Sequence, residues 1–351
     1  MIRTRLPLAL LTLAAIALPA RAADPDAATP CADIAGQSRI SLAQLVDRAL
    51  CANIDTRAAW QRTRVQAAQV GVARSAYYPT LNANASQSRD FGDRAPGSDP
   101  DQTRLNLSAD WLLWDFGGRR AGLNQTKATL EALQASYDAR SQQVALAAVQ
   151  TYFQRLASGA ALEAAKASVA AAEETAKAAR QRVTVGAGTR EDELQAATAL
   201  AQARLTQIQR QGETAAADGQ LAVIAGYPAS QPLQLADQLP SPEASSPTPG
   251  LDALLAQALR LRPDRLAQQR SIAAAESDLD RIAAQSLPRL SVSASAGESR
   301  DSNNRTEGGQ VALNASLPLF TGFQQRYQTR AASAQVTQQQ IELQRVEQQV
   351  R

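Results

Sequence analysis

Side chains that could carry out enzyme chemistry are scarce in this sequence. It contains no histidine and only two cysteines, Cys31 and Cys51. Without histidine, the most frequent general base and the most common metal ligand of proteins are absent. There is also no glycine-rich phosphate loop followed by Lys and Ser or Thr. We therefore predict a chain that is not an enzyme and that binds neither a cofactor nor a transition metal.

Two groups of acidic residues allow a second interpretation. Asp115-Phe116-Gly117 spells the metal-binding motif of protein kinases, but no kinase catalytic loop or nucleotide loop accompanies it. Asp90, Asp93, Asp99 and Asp101 lie close together in the chain, where they could bind calcium or simply keep a loop solvated. Neither group by itself predicts an enzyme.

The start of the chain has the three parts of a secretory signal peptide. Residues 1–23 contain a basic start, an apolar run over residues 6–18 and the cleavage pattern Ala20-Arg21-Ala22. Both cysteines follow this segment and would reach an oxidising compartment, where a disulfide between Cys31 and Cys51 is the default state. Two unpaired thiols are the alternative.

Charge and composition exclude one class of partner and favour one kind of packing. The 36 basic and 33 acidic residues give a formal net charge of +3, and no Lys- or Arg-rich run is present, so no nucleic-acid partner is predicted. Aromatic residues make up only 4% of the chain, which is rich in Ala and Gln instead. This composition favours long helices that pack closely through small side chains over a large globular core.

The chain contains an internal repeat. Residues 41–50 resemble residues 250–259 at an offset of 209. Trp114-Asp115-Phe116-Gly117 aligns with Phe320-Thr321-Gly322-Phe323 at an offset of 206. Each repeat is predicted to contain a helix, two strands and a long helix, in that order.

The repeat sets the predicted organisation of the exported chain. Residues 24–227 form the first repeat, which includes a long helical hairpin. Residues 228–249 form a proline-rich linker that cannot continue a helix. Residues 250–351 form the second repeat, which is incomplete.

Alternating sequences predict the two strands of each repeat. The predicted apolar set is Leu81, Ala83, Ala85, Leu105, Leu107, Ala109, Trp111, Leu113, Leu290, Val292, Ala294, Ala296, Val311, Leu313, Ala315 and Leu317. Small polar side chains such as Asn106 and Ser108 occupy the positions between them. Segments of about ten residues with this pattern are typical of transmembrane barrel strands, and a soluble sandwich is the alternative.

Very long helices follow the strands. Residues 119–185 have a helical pattern without proline, and helical geometry makes this stretch roughly 100 Å long. Apolar and small residues repeat every seven positions, which predicts a coiled-coil seam. On this helix the seam is Leu162, Ala165, Val169, Ala172, Ala176, Ala179 and Val183. On the returning helix the predicted seam is Leu194, Ala197, Ala201, Leu205 and Ile208.

A tight turn is predicted between these two helices, at residues 185–192. Gly186 and Gly188 let the chain reverse, and Thr189 with Asp192 forms a capping box for the returning helix. The turn could serve only to reverse the chain, or its exposed tip could bind a partner.

The predicted strands cannot form a complete membrane structure in one copy. Four strands do not close a barrel, and an open sheet edge is not tolerated in lipid. Other copies of the chain would complete the sheet, and three copies in a ring would give twelve strands. The helices, about three times longer than a bilayer is thick, must then project into an aqueous space. A barrel joined to a long helical tube is a duct.

With these features the chain resembles the outer-membrane efflux protein family, whose best known member is TolC. The resemblance extends over almost the whole exported chain, in the order expected for the family. The matching stretches are residues 41–51, 76–81, 111–119, 185–189 and 317–323. The cysteine pair around the first helix also resembles that of members serving type I secretion.

The resemblance implies a mainly α-helical fold with membrane β-structure, in which a homotrimer forms a twelve-stranded outer-membrane barrel and an α-helical barrel in the periplasm. It implies a passive exit duct of a tripartite efflux or type I secretion system. The implied partners are outer-membrane lipid, a periplasmic adaptor and an inner-membrane pump. In the family the hairpin tips meet the adaptor, which assigns that role to Gly186, Gly188, Thr189 and Asp192. The alternative function is a periplasmic coiled-coil adaptor or scaffold protein.

The two repeats differ in length. The first continues through a complete hairpin, whereas the second ends in a helical pattern over residues 341–351 that has no Gly or Pro stop. We expect a fragment or a truncated product that lacks the second hairpin and any gating residues on it.

Overall fold

The computed structural model describes residues 31, 33–35, 39–89, 91, 101–236, 250–301 and 304–350. The predicted signal peptide lies outside the described residues, as do most of the predicted linker and three of the clustered aspartates, Asp90, Asp93 and Asp99. Asp101 is described, and its carboxylate lies 3.4 Å from the guanidinium of Arg89.

Helices and strands recur in the same order in both repeats. The first repeat contains α1 (Leu42–Ala52), α2 (Ile54–Ser75), β1 (Thr80–Arg89), β2 (Asp101–Trp114), α3 (Gly118–Thr184) and α4 (Arg190–Ile224). The second contains α5 (Leu251–Leu261), α6 (Pro263–Ala284), β3 (Arg289–Arg300), β4 (Arg305–Ser316) and α7 (Gln324–Gln348). The starts of α1 and α5 and of α2 and α6 differ by 209 positions, and those of α3 and α7 by 206. The helices and strands thus recur at the same two offsets as the sequence.

Two helices precede the strands of each repeat, where a single helix was predicted. Asn53 ends α1, and its side chain caps α2 by accepting a hydrogen bond of 2.9 Å from the N–H of Asp55. In the second repeat Pro263 begins α6, a position where its missing N–H needs no partner. In the sequence each break is marked by one residue only, Asn53 in the first repeat and Pro263 in the second.

The four strands form one antiparallel sheet in the order β1-β2-β3-β4. Across it, Ala83 pairs with Leu107, Leu107 with Ala296, and Ala296 with Gly309. The apolar face therefore comprises Leu81, Ala83, Ala85, Leu105, Leu107, Ala109, Trp111, Val292, Ala294, Ala296, Val311 and Leu313. The polar face comprises Asn82, Asn84, Asn106, Ser108, Ser293, Ser295, Gln310 and Asn314. The predicted alternation is confirmed in all four strands except at the end of β2, where a bulge places Trp114 opposite Leu290, so that Trp114 and not the predicted Leu113 continues the apolar row. The predicted Leu317 lies just after the end of β4.

The helices that continue the strands form an open layer in the same order. The chain runs from α2 into β1, from β2 into α3, from α6 into β3 and from β4 into α7. Accordingly, α2 packs against α3, α3 against α6, and α6 against α7. None of the described helices has an apolar stretch long enough to cross a bilayer.

Further from the sheet, α3 continues beyond this layer and packs against α4 to form a long hairpin. α3 has 67 residues and agrees to within one residue with the predicted helix. Ala165 and Val169 are buried in its seam, which confirms the heptad pattern on α3. The predicted seam on α4 is wrong. Its members Leu194, Ala197, Ala201, Leu205 and Ile208 are all exposed.

The contact row on α4 begins one residue earlier than predicted. The less exposed residues are Glu193, Ala196, Leu200, Ala203, Gln207, Thr214, Ala217 and Leu221. The hydroxyl of Thr214, for example, donates a 3.2 Å hydrogen bond to the carbonyl of Ser158 on α3. This row mixes small and polar residues with only two leucines, so hydrophobicity alone selects the wrong face. Small residues allow the two helices to approach closely, and the larger Leu and Ile side chains remain outside.

A compact core lies between α1, the middle of α3 and the end of α4, far from the turn that joins α3 and α4. Its buried residues are Ile34, Ile40, Leu45, Ala49, Val144, Ala148, Tyr152, Leu221, Ala222, Ala225 and Leu233. The segment before α1 pairs with the segment after α4: the N–H of Ile40 donates to the carbonyl of Gln234 at 2.8 Å, and the N–H of Ala236 donates to the carbonyl of Ile40 at 3.0 Å. The core therefore depends on chain segments far apart in the sequence.

Cys31 and Cys51 form a disulfide that ties the segment before α1 to the end of α1. Arg48 supports the same region, because its guanidinium donates to the carbonyl of Cys31 at 3.0 Å and to that of Ala225 at 3.2 Å. The same guanidinium lies 4.6 Å from the ring centre of Tyr227. The disulfide thus covers one side of the compact core.

A largely buried ion pair holds the junction between β2 and α3. The carboxylate of Asp115 accepts a 2.6 Å hydrogen bond from the N–H of Arg119 and lies 3.4 Å from its guanidinium; both side chains are 13% exposed. The guanidinium also donates to the carbonyls of Leu112 at 2.6 Å and Leu113 at 2.9 Å, and it lies over the ring of Tyr77. Asp115 therefore acts as a structural cap within the kinase-like motif.

The junction between β4 and α7 has a similar backbone but different side chains. Phe116 and Gly117 have φ angles of 50° and 95°, and Gly322 and Phe323 have φ angles of 62° and 65°. Both junctions thus turn through two successive left-handed residues, one glycine and one phenylalanine. Thr321 takes the place of Asp115, so the second junction has no equivalent ion pair.

We predict that the Cys31→Ser, Cys51→Ser double variant opens the compact core more easily by about 3 kcal/mol, because the intervening loop regains conformational freedom. Hydrogen exchange of the α1 amides measures this change. Wild-type protein treated with a reductant is the matched control and should exchange like the variant. Equal exchange in the oxidised protein and the variant would contradict a stabilising role.

We predict that Arg119→Ala destabilises the protein by about 3 kcal/mol, because Asp115 is left buried without its partner. Thermal unfolding in detergent, followed by circular dichroism, measures the loss. Arg120→Ala is the control, since Arg120 is exposed and has no ion pair with any residue that the structure describes. A similar loss in both variants would rule out a specific role for the ion pair.

Candidate functional site: an uncovered apolar sheet and a hairpin tip

The apolar face of the sheet is not covered by any part of the described chain. Leu81 is 72% exposed, Val311 77% and Leu313 67%. In a soluble sandwich such side chains would face a core, and a patch of this extent on a water-soluble surface would favour aggregation. The same face is well suited to contact lipid, whereas the polar face is suited to contact water. The structure therefore favours barrel strands over the sandwich alternative.

Both edges of the sheet are open in the described chain. β1 pairs only with β2, and β4 pairs only with β3. Each outer strand therefore presents a row of backbone N–H and C=O groups without partners from this sheet. In lipid these groups would be very costly to leave unpaired. The geometry requires another β-strand at each edge.

The hairpin tip lies at the far end of α3 and α4. α3 ends at Thr184, and the N–H of Ala187 donates a 2.8 Å hydrogen bond to the carbonyl of Arg182. Gly186 adopts a left-handed φ of 75° between them. This is the hydrogen-bonding pattern of a glycine-terminated helix. The chain then passes through Gly188 to the first turn of α4.

Thr189 and Asp192 form the predicted capping box. The N–H of Asp192 donates to the Thr189 hydroxyl at 3.1 Å, and that hydroxyl donates to the Asp192 carboxylate at 2.7 Å. Hydrogen bonds from the hydroxyl and the N–H of Thr189 lower the pKa of Asp192. Since the pKa is lowered by folding, the stabilisation is present at neutral pH and is lost only as the pH falls through the lowered value.

Glycine is favoured at the two tip positions for different structural reasons. A β-carbon on Gly188 would lie 3.0 Å from the β-carbon of Arg182 and 3.3 Å from its backbone, so a side chain there would push the helices apart. A β-carbon on Gly186 would meet nothing within 4 Å, and only its left-handed backbone favours glycine. The sequence placed all four predicted tip residues in one turn, but their contact with an adaptor remains a prediction.

Charged residues beside the tip were missed by the sequence analysis. Glu193 lies 2.5 Å from the guanidinium of Arg190 and 3.5 Å from that of Arg180 on the other helix. Its side chain is only 15% exposed, so these contacts help to join the two helices next to the turn. Val185, in contrast, is 77% exposed at the tip. The contact row of α4 that begins at Glu193 contains polar residues. A search for a purely apolar heptad pattern therefore does not find it.

Two curated proteins are similar in sequence to this chain. Protein CyaE of Bordetella pertussis is 32% identical over 312 residues, which cover 86% of this chain and 64% of CyaE. Alkaline protease secretion protein AprF of Pseudomonas aeruginosa is 25% identical over 263 residues, which cover 72% of this chain and 53% of AprF. The chain thus spans between about half and two thirds of the length of these relatives.

The fold is that of known outer-membrane channels. The crystal structure of the CmeC outer membrane channel from Campylobacter jejuni matches with a TM-score of 0.78, covering 87% of this chain and 67% of CmeC. Sequence identity is 20%, so this similarity concerns the fold, which is TolC-like. The model of the outer membrane efflux protein family matches residues 45–227 and 254–351, which include most of both repeats. On this evidence the chain belongs to the outer membrane efflux protein family.

Proposed function

We propose that the protein is a passive exit duct that carries cargo across the outer membrane. The observation that supports this most directly is the sheet with one uncovered apolar face and one polar face, continued by a hairpin whose α3 is roughly 100 Å long. As a member of its family, the chain is located in the outer membrane, with its helical part in the periplasm. Cargo would pass along the polar face of the sheet.

We infer that three copies of the chain join their open layers into a closed ring. β4 of one copy would pair with β1 of the next, which satisfies both open edges with a single kind of contact. Three four-stranded sheets give a twelve-stranded barrel, an even number that suits antiparallel closure. The same contact brings α7 of one copy beside α2 of the next, since these helices continue the two edge strands.

The outer faces of α2 and α7 support this arrangement. Val65 and Val72 on α2 are seven residues apart and more than 60% exposed. Tyr327 and Ile341 on α7 are fourteen residues apart and 65% and 58% exposed. Heptad spacing on both helices favours coiled-coil packing between neighbouring copies. The exposed row of α4 that begins at Leu194 would likewise face another helix of the ring.

The duct would depend on partners for energy and cargo selection. We infer that a periplasmic adaptor binds the hairpin tips around Gly186, Gly188, Thr189 and Asp192, and that an inner-membrane pump supplies the energy. AprF is named for alkaline protease secretion, and its similarity supports a protein cargo and a type I secretion system. A coiled-coil adaptor, the alternative function, would have no use for a sheet with an uncovered apolar face.

Ring closure predicts crosslinking between β1 and β4 of different copies. We expect Asn84→Cys together with Ala312→Cys to give dimers and trimers with a short bis-maleimide in membranes, and no larger species. Both native cysteines are in the disulfide and add no background. Denaturing electrophoresis counts the copies.

The matched control for this experiment is Asn84→Cys together with Asn106→Cys. Asn106 lies on β2 directly opposite Asn84 and should crosslink to it within one chain, which leaves monomers. Monomers alone from the first pair, or a ladder that continues beyond trimers, would contradict a closed ring of three.

The proposed adaptor contact is best tested at Val185, because substitution of either tip glycine would disturb the turn itself. We expect Val185→Asp to reduce capture of the protein by its periplasmic adaptor about tenfold or more, since a charge would enter the centre of the contact. Val223→Asp is the control, as Val223 is 56% exposed at the opposite end of the hairpin. Unchanged capture by Val185→Asp would place the adaptor elsewhere.

A further inference from the structure

The junction between β4 and α7 contains two arginines without an ionic partner. Arg326 and Arg330 are one helical turn apart and exposed, and neither forms an ion pair with any residue that the structure describes. No acidic residue occurs in the sequence between Glu307 and Glu342. The positive charge of this turn is therefore not balanced along its own chain segment.

A cavity of about 570 Å³ lies beside these arginines. Its other walls include Leu319, Phe320 and Phe323, which are 89%, 75% and 60% exposed. The two phenylalanine rings contact each other edge to face, with centroids 5.5 Å apart. Large apolar side chains with this exposure, next to two guanidinium groups, match a ligand that has an acyl chain and an anionic head.

The cavity lies at the end of the sheet, where β4 continues into α7 and the chain leaves the membrane for the periplasm. A second cavity at the same junction is lined by Arg289 and Ser316. The two cavities adjoin each other, because Gln285, Pro318, Thr321 and Gln325 line both. The cavity beside Arg326 is the one that extends along α7 to Arg330.

The first repeat shows why the second junction is open to a ligand. At the equivalent position of the first junction, Asp115 neutralises Arg119 within the chain. In the second repeat Thr321 replaces that aspartate and Gln325 replaces that arginine. Arg326 and Arg330, which remain at this junction, form no ion pair with an acidic residue of the described chain.

We propose that Arg326 and Arg330 bind the phosphate of an anionic phospholipid, whose acyl chain lies against Leu319, Phe320 and Phe323. Guanidinium groups form strong paired hydrogen bonds with phosphate oxygens, and basic pockets at a membrane boundary bind anionic head groups. The site rests on the outer-membrane location of the protein and requires no assumption about cargo or adaptor. It would fix the depth of the second junction in the inner leaflet.

Native mass spectrometry of the purified full chain in detergent tests the site. The probes are dioleoyl phosphatidylglycerol and dioleoyl phosphatidylcholine, which share acyl chains and differ in charge. We expect one phosphatidylglycerol bound per chain and little phosphatidylcholine. The Arg326→Gln, Arg330→Gln double variant should bind phosphatidylglycerol about tenfold more weakly or worse, as expected for two lost guanidinium contacts at a membrane surface.

Two controls separate the sources of the signal. Arg345→Gln removes an arginine of the same helix that is paired with Glu342, and should leave lipid binding unchanged. Leu319→Ser should weaken lipid binding without affecting the arginines, because Leu319 is almost fully exposed. Complete displacement of the lipid by inorganic phosphate would overturn the lipid assignment in favour of a simple phosphate site.

Equal lipid binding by wild type and the double variant would overturn the proposal. The masses recorded for the same samples also show whether the chains are assembled as trimers. Failure of the wild-type protein to bind phosphatidylglycerol while its trimers remain intact would therefore reject this inference alone, whereas loss of trimers would count against the proposed duct.

Discussion

The constraint on which the whole structure depends is that one copy of the chain cannot satisfy its own sheet. Four strands leave two open backbone edges and one uncovered apolar face. In water the apolar face would be unfavourable, and in lipid the open edges would be. Both problems are solved together when the apolar face contacts lipid and each edge pairs with a neighbouring copy. The internal repeat contributes two strands from each half, so that a single chain provides four strands in one sheet.

The sheet determines how the long helices are arranged. Because each strand continues directly into a helix, the order of the strands fixes the order of α2, α3, α6 and α7 around the tube. The junctions between strands and helices maintain that order. The ion pair of Asp115 with Arg119 stabilises the junction between β2 and α3. Further from the membrane, the disulfide-bonded core gathers α1, α3 and α4, and the hairpin extends from it to the tip.

Sequence patterns predicted the repeat, the strand faces, the extent of α3 and the turn at Gly186 and Gly188, because each depends on local periodicity or on glycine and capping residues. They failed on α4, where the seam that begins at Glu193 contains polar and small side chains, and hydrophobicity pointed to the outer row that begins at Leu194. The contacts of Arg48 with Ala225 and Tyr227, and of Arg119 with Tyr77, join residues distant in sequence, and no local pattern encodes them. The alignment of the two repeats already places Thr321 at the position of Asp115, but only the structure shows that Asp115 forms an ion pair with Arg119.

Cysteine accessibility at two adjacent residues of β3 tests the central claim most directly. Ala294 lies on the apolar face and Ser295 on the polar face, and both belong to an inner strand of the sheet. In intact outer membranes, Ser295→Cys should react quickly with a water-soluble maleimide that does not cross lipid, whereas Ala294→Cys should remain unlabelled. Equal labelling of the two positions, or faster labelling at Ala294→Cys, would contradict a lipid-facing apolar face around a water-filled passage.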